Sequence, residues 1–160
     1  MIKYLYHGTS THYLPQISQT GIPACLSGFG QTGLSGVGLT ESLDTAAGYA
    51  KSTAKSTSSQ PIVLVVEARG SWADLRELNI PDEIYDLEAA NDGVDPDNIQ
   101  EFKLWFRKFS KDQHPLPLAA ILMNRFDGAI IRSTIDKDGC PEYVYFWPEQ
   151  LNVVDEIPIS

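Results

Sequence analysis

PIVLVVEA, residues 61–68, sets five aliphatic side chains in succession, four of them β-branched. Branched side chains fit a pleated surface, and an unbroken apolar run marks a strand buried on both faces. The chain therefore builds a core sheet with this strand inside it. The serine-rich break from Ser56 to Gln60 closes off whatever precedes it. Upstream, VGLTES (residues 37–42) reads as a short strand leading into DTAAGYAKSTAK (residues 44–55). There Ser42 or Asp44 can cap a helix, and the small Ala46, Ala47 and Ala50 permit close packing. Tyr49 should project from the early turns of that helix.

Farther upstream, Ile2 to Tyr6 alternates like a strand with one buried face. HGTSTHYLPQISQTGI follows. Ser10 or Thr11 is a suitable helix cap, Leu14 and Ile17 stand three apart, and Gly21 is placed to stop a short helix. Residues 21–38 hold six glycines and no clear periodicity, the composition of a surface loop that carries binding function.

Downstream of the central strand, residues 71–117 turn acidic and are broken by Pro81, Gly93, Pro96 and Pro115, so this region is expected to be an insertion of helical character. Asp95 and Pro96 suit a helix start, and Ile99, Phe102, Trp105, Phe106 and Phe109 follow at helical spacing, a stripe that normally faces its own sheet. A second helix is expected near residues 118–126. DGAIIR (127–132) is strand-like, DKDG (136–139) a turn, EYVYFW (142–147) a strong strand and LNVV (151–154) a further short one. Strands at both ends with helices between them indicate an α+β class, since strand and helix do not alternate regularly enough for a doubly wound sheet.

The 160 residues suit one domain, residues 1–160. No run approaches the roughly 20 apolar residues that cross a bilayer, and MIKYLYHG has no secretory character, so a cytoplasmic chain without membrane contact is expected. The two cysteines, Cys25 and Cys140, form neither a CxxC nor a Cys/His group, which suggests no metal site and no disulfide scaffold. Twelve basic against twenty-one acidic residues leave a net charge of −9, which repels phosphate backbones and disfavours a broad nucleic-acid surface.

Three residues could carry chemistry. His7, next to Gly8, is either a satisfied histidine at a strand end or a ring that meets a sugar hydroxyl where bare backbone lies open. Tyr49 is either a packing residue or a flat surface for a heteroaromatic ring. Glu142 opens its strand either as a solvated edge carboxylate or as one held to meet developing positive charge.

Taken in order, LYHGTSTHYLPQISQTGI, GVGLTESLDTAAGYA and PEYVYFWPEQLNV resemble the three motifs of the ADP-ribosyltransferase superfamily, in the histidine-tyrosine-glutamate branch of diphtheria toxin and the poly(ADP-ribose) polymerases. The resemblance leaves residues 71–117 without a counterpart. It implies a split β-sandwich of two small, mainly antiparallel sheets with flanking helices, gripping NAD as co-substrate with no metal. By carry-over His7 would bond the adenosine ribose and the Gly8 backbone would hold the nicotinamide carboxamide, with Thr9 and Thr40 beside them. Tyr49 would stack on the nicotinamide, and Glu142 would bond the nicotinamide ribose and act as the catalytic carboxylate.

Expulsion of neutral nicotinamide leaves positive charge on the ribose, so a carboxylate suffices and no protein nucleophile is required. The departures are Gly38, where the branch commonly has a second tyrosine, and Ala46, where the polymerases have a serine. Cys140, two residues before Glu142, leaves the acceptor residue unspecified.

The implied function is mono-ADP-ribosylation of a macromolecular acceptor, a protein ahead of a nucleic acid, by a bacterial or phage effector or toxin. The alternatives are an NAD glycohydrolase, an RNA 2'-phosphotransferase, or a non-catalytic acidic binding or inhibitor protein on the same fold.

Overall fold

The computed structural model describes residues 1–24, 36–74, 76, 126–131 and 139–160. Its elements in chain order are β1 (Ile2–Ser10), α1 (Leu14–Thr20), β2 (Val37–Thr40), α2 (Leu43–Thr57), β3 (Pro61–Arg69), β4 (Trp72–Asp74), β5 (Gly128–Ile131), β6 (Glu142–Tyr145), a 3-10 turn (Pro148–Gln150) and β7 (Asn152–Pro158). The class is α+β, as the sequence indicates. All seven strands are hydrogen-bonded into one sheet, in the order β4-β5-β6-β2-β1-β3-β7. Every pairing is antiparallel except β4 with β5.

The expected two sheets are thus joined, and the join is narrow. β1 pairs with β3 over nine positions, from Ile2–Arg69 to Ser10–Pro61. With β2 it pairs only at Tyr6–Thr40. A single paired position welds a four-stranded half, β4-β5-β6-β2, to a three-stranded half, β1-β3-β7.

The two faces of the sheet are filled differently. Leu5, Val37, Leu39, Leu64, Val66, Tyr143 and Tyr145 are buried on one face with Ile17 of α1 and Ile22. Burying an aliphatic side chain of this size contributes about 1.5–3 kcal/mol, so this aliphatic and aromatic layer is the main store of stability. On the other face Val63 meets Ala46 and Ala50 of α2, with Tyr6 and Ile157 packed against them.

The α2 start is as expected: the Ser42 side chain accepts the Thr45 N–H at 3.1 Å, and Asp44 lies in the first turn, where the helix dipole favours a carboxylate. The start of α1 is not. Its cap is Tyr13, which makes no side-chain capping bond, because β1 continues past His7 through Ser10 and the chain turns only afterwards. Gly21 does end α1, at φ 81°, with its N–H on the Ile17 carbonyl at 2.8 Å.

The strands read at DGAIIR, EYVYFW and LNVV correspond to β5, β6 and β7. The region read as an insertion opens with residues that belong to the sheet, since Trp72–Asp74 pair with Gly128–Ile130. The expected helices near residues 95–109 and 118–126, and most of the glycine-rich loop, lie outside the described residues. Among the described residues no helix is long and apolar enough to cross a membrane.

The tightest contact joins β1 to α2. A Cβ added at Gly8 would stand 2.1 Å from the Ala46 carbonyl oxygen and 2.8 Å from the Ala50 nitrogen, both backbone atoms that cannot step aside. Gly48, on the same helix, has open space around its Cα. Gly8→Ala should therefore destabilise the fold by about 1–3 kcal/mol through overpacking. Gly48→Ala should stabilise it by about 0.5–1 kcal/mol, because a mid-helix glycine loses more backbone entropy than alanine. Urea unfolding of the two variants against the parent chain checks both signs.

Candidate functional site

The alternation of hydrogen bonds along β1 decides which way its backbone faces. Thr11 N–H donates to Gln60 O at 2.9 Å and Gly70 N–H to Met1 O at 3.0 Å, one bond at each end of the β1–β3 ladder. Between them the register is unbroken. In an antiparallel pair the residues exchanging bonds alternate with residues whose polar groups face the other way. The odd-numbered residues of β1 therefore bond β3, and the N–H and C=O of Tyr6, Gly8 and Ser10 face β2. Tyr6 meets Thr40 there. Beyond that pair no position of β1 is paired with β2, so among the described residues the sheet parts alongside Gly8, whose N–H and C=O are directed to the side where the two strands separate.

His7 spans this parting. Its Nδ1 lies 2.8 Å from the Gly38 carbonyl oxygen on β2. A carbonyl only accepts, so the ring carries its proton on Nδ1 and donates it, leaving Nε2 as an acceptor in the neutral ring. Burial holds the His7 pKa below the ordinary histidine value, an effect larger than the opposing contribution of the Gly38 bond. The imidazole is therefore neutral near pH 7 and can accept a hydroxyl hydrogen at Nε2. The sequence reading placed His7 at a strand end; it lies inside the strand, at the end of the β1–β2 pairing instead.

Tyr49 stands over Gly8: a Cβ at position 8 would come within 3.0 Å of the Tyr49 Cβ. Its ring is on the exposed side of α2, with 43% of the residue's surface accessible. Ala46, fully buried against β1, presents its carbonyl to Gly8 rather than a side chain to the surface.

Glu142 is half-buried at the first position of β6 and pairs with Thr40 on one side and Ile131 on the other. Residues directly opposite in a sheet project to the same face. Glu142, Thr40 and Tyr6 form one row, and Tyr6 packs towards α2. With strands spaced about 4.8 Å apart, Glu142 lies roughly 10 Å from Tyr6 along that row. The carboxylate, the Gly8 backbone and Tyr49 thus share the α2 face, and His7 reaches the parting from the neighbouring position of β1.

Thr9 and Thr40, grouped with these residues from the sequence, are both buried, at 4% and 5% exposure. The Thr40 hydroxyl accepts the Ser42 N–H at 3.0 Å, shaping the turn into α2. Two partners were not identified from the sequence: Gly38, whose useful atom is a backbone oxygen, and Glu41, which accepts a bond from the Tyr143 hydroxyl. For Gly38 no side-chain signal exists; for Glu41 the only signal is its place beside Thr40. Among the described residues no group of three or more His, Cys, Asp or Glu is arranged to hold a metal ion.

No protein-family model matches the chain, and no curated protein matches it. Among solved structures it is similar to a chain in the crystal structure of the M. tuberculosis MbcT-MbcA toxin-antitoxin complex. The identity is 17% and the TM-score 0.44, with 100% of this chain and 85% of that chain covered.

The lowered His7 pKa makes stability depend on pH. Below the ordinary histidine value of 6.5 the unfolded chain takes up a proton that the folded ring resists. Its contribution to stability is complete above that pH and is lost as pH falls through the folded value. In urea titrations at several pH values, the stability difference between wild type and His7→Gln should be flat above pH 6.5 and shrink on acidification.

Proposed function

We propose that the chain binds NAD at the parting between β1 and β2 and transfers a single ADP-ribose unit from it to a macromolecular acceptor. The observation that carries this reading is the direction of the Gly8 backbone. A strand that turns an N–H and a C=O into an opening, beneath an exposed tyrosine, offers a carboxamide one acceptor and one donor together with a ring to stack on. The fit extends to the neighbours. His7, with Nδ1 engaged on Gly38, keeps Nε2 for a ribose hydroxyl. Glu142 stands on the same face, where its carboxylate would lie against the second ribose.

NAD supplies a glycosidic bond whose leaving group, nicotinamide, departs uncharged. The protein's part is then to orient and to stabilise charge. Gly8 and Tyr49 would fix the nicotinamide so that it leaves along one direction, and neutral His7 would hold the adenosine ribose without adding positive charge to the site. Glu142 would sit beside the ribose carbon as positive charge develops there. A preorganised group of this kind is worth more in the transition state than in the ground state, which raises turnover rather than affinity. The acceptor supplies the nucleophile.

In mixtures of NAD with candidate acceptors, mass spectrometry should detect one ADP-ribose adduct per modified site. Glu142→Gln should lower nicotinamide release by about 10²–10³-fold, while calorimetry shows NAD affinity within a few-fold of wild type. Equal nicotinamide release with and without acceptor would identify water as the acceptor instead. Tyr49→Ala should weaken NAD binding by about 1–3 kcal/mol, the range of stacking a heteroaromatic base on a side-chain ring.

A further inference from the structure

β6 is four residues long and carries Glu142 at its first position, so the carboxylate depends on how that end of the strand is held. Two phenols fasten β6. At the far end Tyr145, fully buried, donates its hydroxyl to the Arg69 carbonyl at 2.7 Å. At the near end Tyr143 donates to the Glu41 carboxylate. Glu41 directly follows Thr40, and Thr40 is the register partner of Glu142. The Tyr143 bond therefore closes a small ring: Thr40 to Glu41 along the chain, Glu41 to Tyr143 by the hydrogen bond, Tyr143 to Glu142 along the chain, and Glu142 back to Thr40 across the ladder.

The ring of Tyr143 is itself located on two sides. The Trp72 and Tyr143 rings are T-shaped, with centroids 5.2 Å apart and planes at 88°, and Lys3 Nζ lies 5.4 Å from the Tyr143 centroid. Burial first, and the Glu41 bond second, raise its pKa, so the phenol keeps the proton it donates.

We propose that Tyr143 is a positioning residue for Glu142, holding the opening of β6 against β2 through its hydroxyl bond to Glu41. The proposal rests on the NAD-cleaving role of Glu142 argued above and adds to it a group on the opposite face of the sheet that does not touch substrate. Tyr143→Phe keeps the ring and its packing and removes only the bond. Small misplacements of a reacting group cost rate steeply, so kcat for nicotinamide release should fall about tenfold while KM for NAD stays within about twofold. Glu41→Ala should reproduce the loss, and Glu41→Gln, which keeps an acceptor oxygen, should restore most of it. The double variant Tyr143→Phe/Glu41→Ala should be no worse than either single one, because both remove the same bond. Tyr145→Phe, whose bond fastens the other end, should unfold at a lower temperature yet keep its kcat.

Amide hydrogen exchange provides a readout independent of activity. In Tyr143→Phe the amides of Glu142–Tyr145 should exchange faster, with those of β3 unchanged. An unaltered kcat in Tyr143→Phe, an equal loss in Tyr145→Phe, or additive losses in the double variant would overturn the proposal. If folded wild type releases no nicotinamide, the NAD-cleaving role is what fails. Exchange then decides the clamp alone: faster exchange at Glu142 upholds it, and unchanged exchange ends it.

Discussion

The rest of the structure depends on how closely α2 approaches β1. Ala46, Ala50 and Ala54 form the buried stripe of α2, spaced four apart so that small side chains face the sheet at every turn. Gly8 supplies the matching absence on the strand, where any Cβ would run into the helix backbone. Removing side chains from both partners brings the helix down onto the sheet. Two consequences follow from the same contact: Tyr49 is carried to the rim above Gly8, and the strand at that point has no side chain to obstruct a ligand. One packing constraint therefore sets both the place of Tyr49 and the bareness of the strand beneath it.

The second constraint is the narrow join between β1 and β2. An ordinary antiparallel pair would continue from Tyr6–Thr40 to bring Gly8 opposite Gly38, and the polar groups of β1 would then be spent on the ladder. Here the pairing ends at one position, and a side chain from His7 takes the Gly38 carbonyl. That choice of partner fixes the tautomer of the imidazole, while burial keeps it neutral. The chemistry offered at the parting is therefore set largely by backbone geometry, with the histidine as the element that reads it.

This explains which parts of the molecule were legible in the sequence. β3 was, because an unbroken β-branched run has few other homes, and so was α2, because Ser42, Asp44 and the alanine spacing agree with one another. His7, Gly8, Tyr49 and Glu142 were singled out through a family resemblance, and the register brings them to one region of the sheet. The extent of β1 was not legible, since His7-Gly8-Thr9-Ser10 has turn-like composition and is held extended by its ladder with Leu64, Val63, Ile62 and Pro61. Nor was the joining of two sheets into one, which turns on a single pair of residues thirty-four positions apart in the chain. Gly38 as the partner of His7 leaves no trace in residue type. That the Thr40 hydroxyl accepts the Ser42 N–H in the turn into α2 was not legible either.

Unpaired strand edges invite association with other chains, and this fold handles two of them in opposite ways. β7 closes the sheet on one side. Ile159 N–H donates to Pro61 O at 3.2 Å, so the register directs the polar groups of Glu156 and Pro158 outward. Pro158 has no N–H to offer, and the Glu156 N–H is taken by the Asp155 carboxylate at 2.8 Å. A register shift opposite Val65 and Val66 interrupts the strand besides. The outer edge is thereby blunted and made acidic, which discourages strand addition by another chain. At the inner edge, where β1 leaves β2, no such blunting surrounds Gly8 among the described residues: the residue has an N–H, lacks a side chain, and has an imidazole rather than a carboxylate beside it. The same physical liability is suppressed at β7 and left in place beside Gly8, and the difference lies in which residues flank the bare backbone.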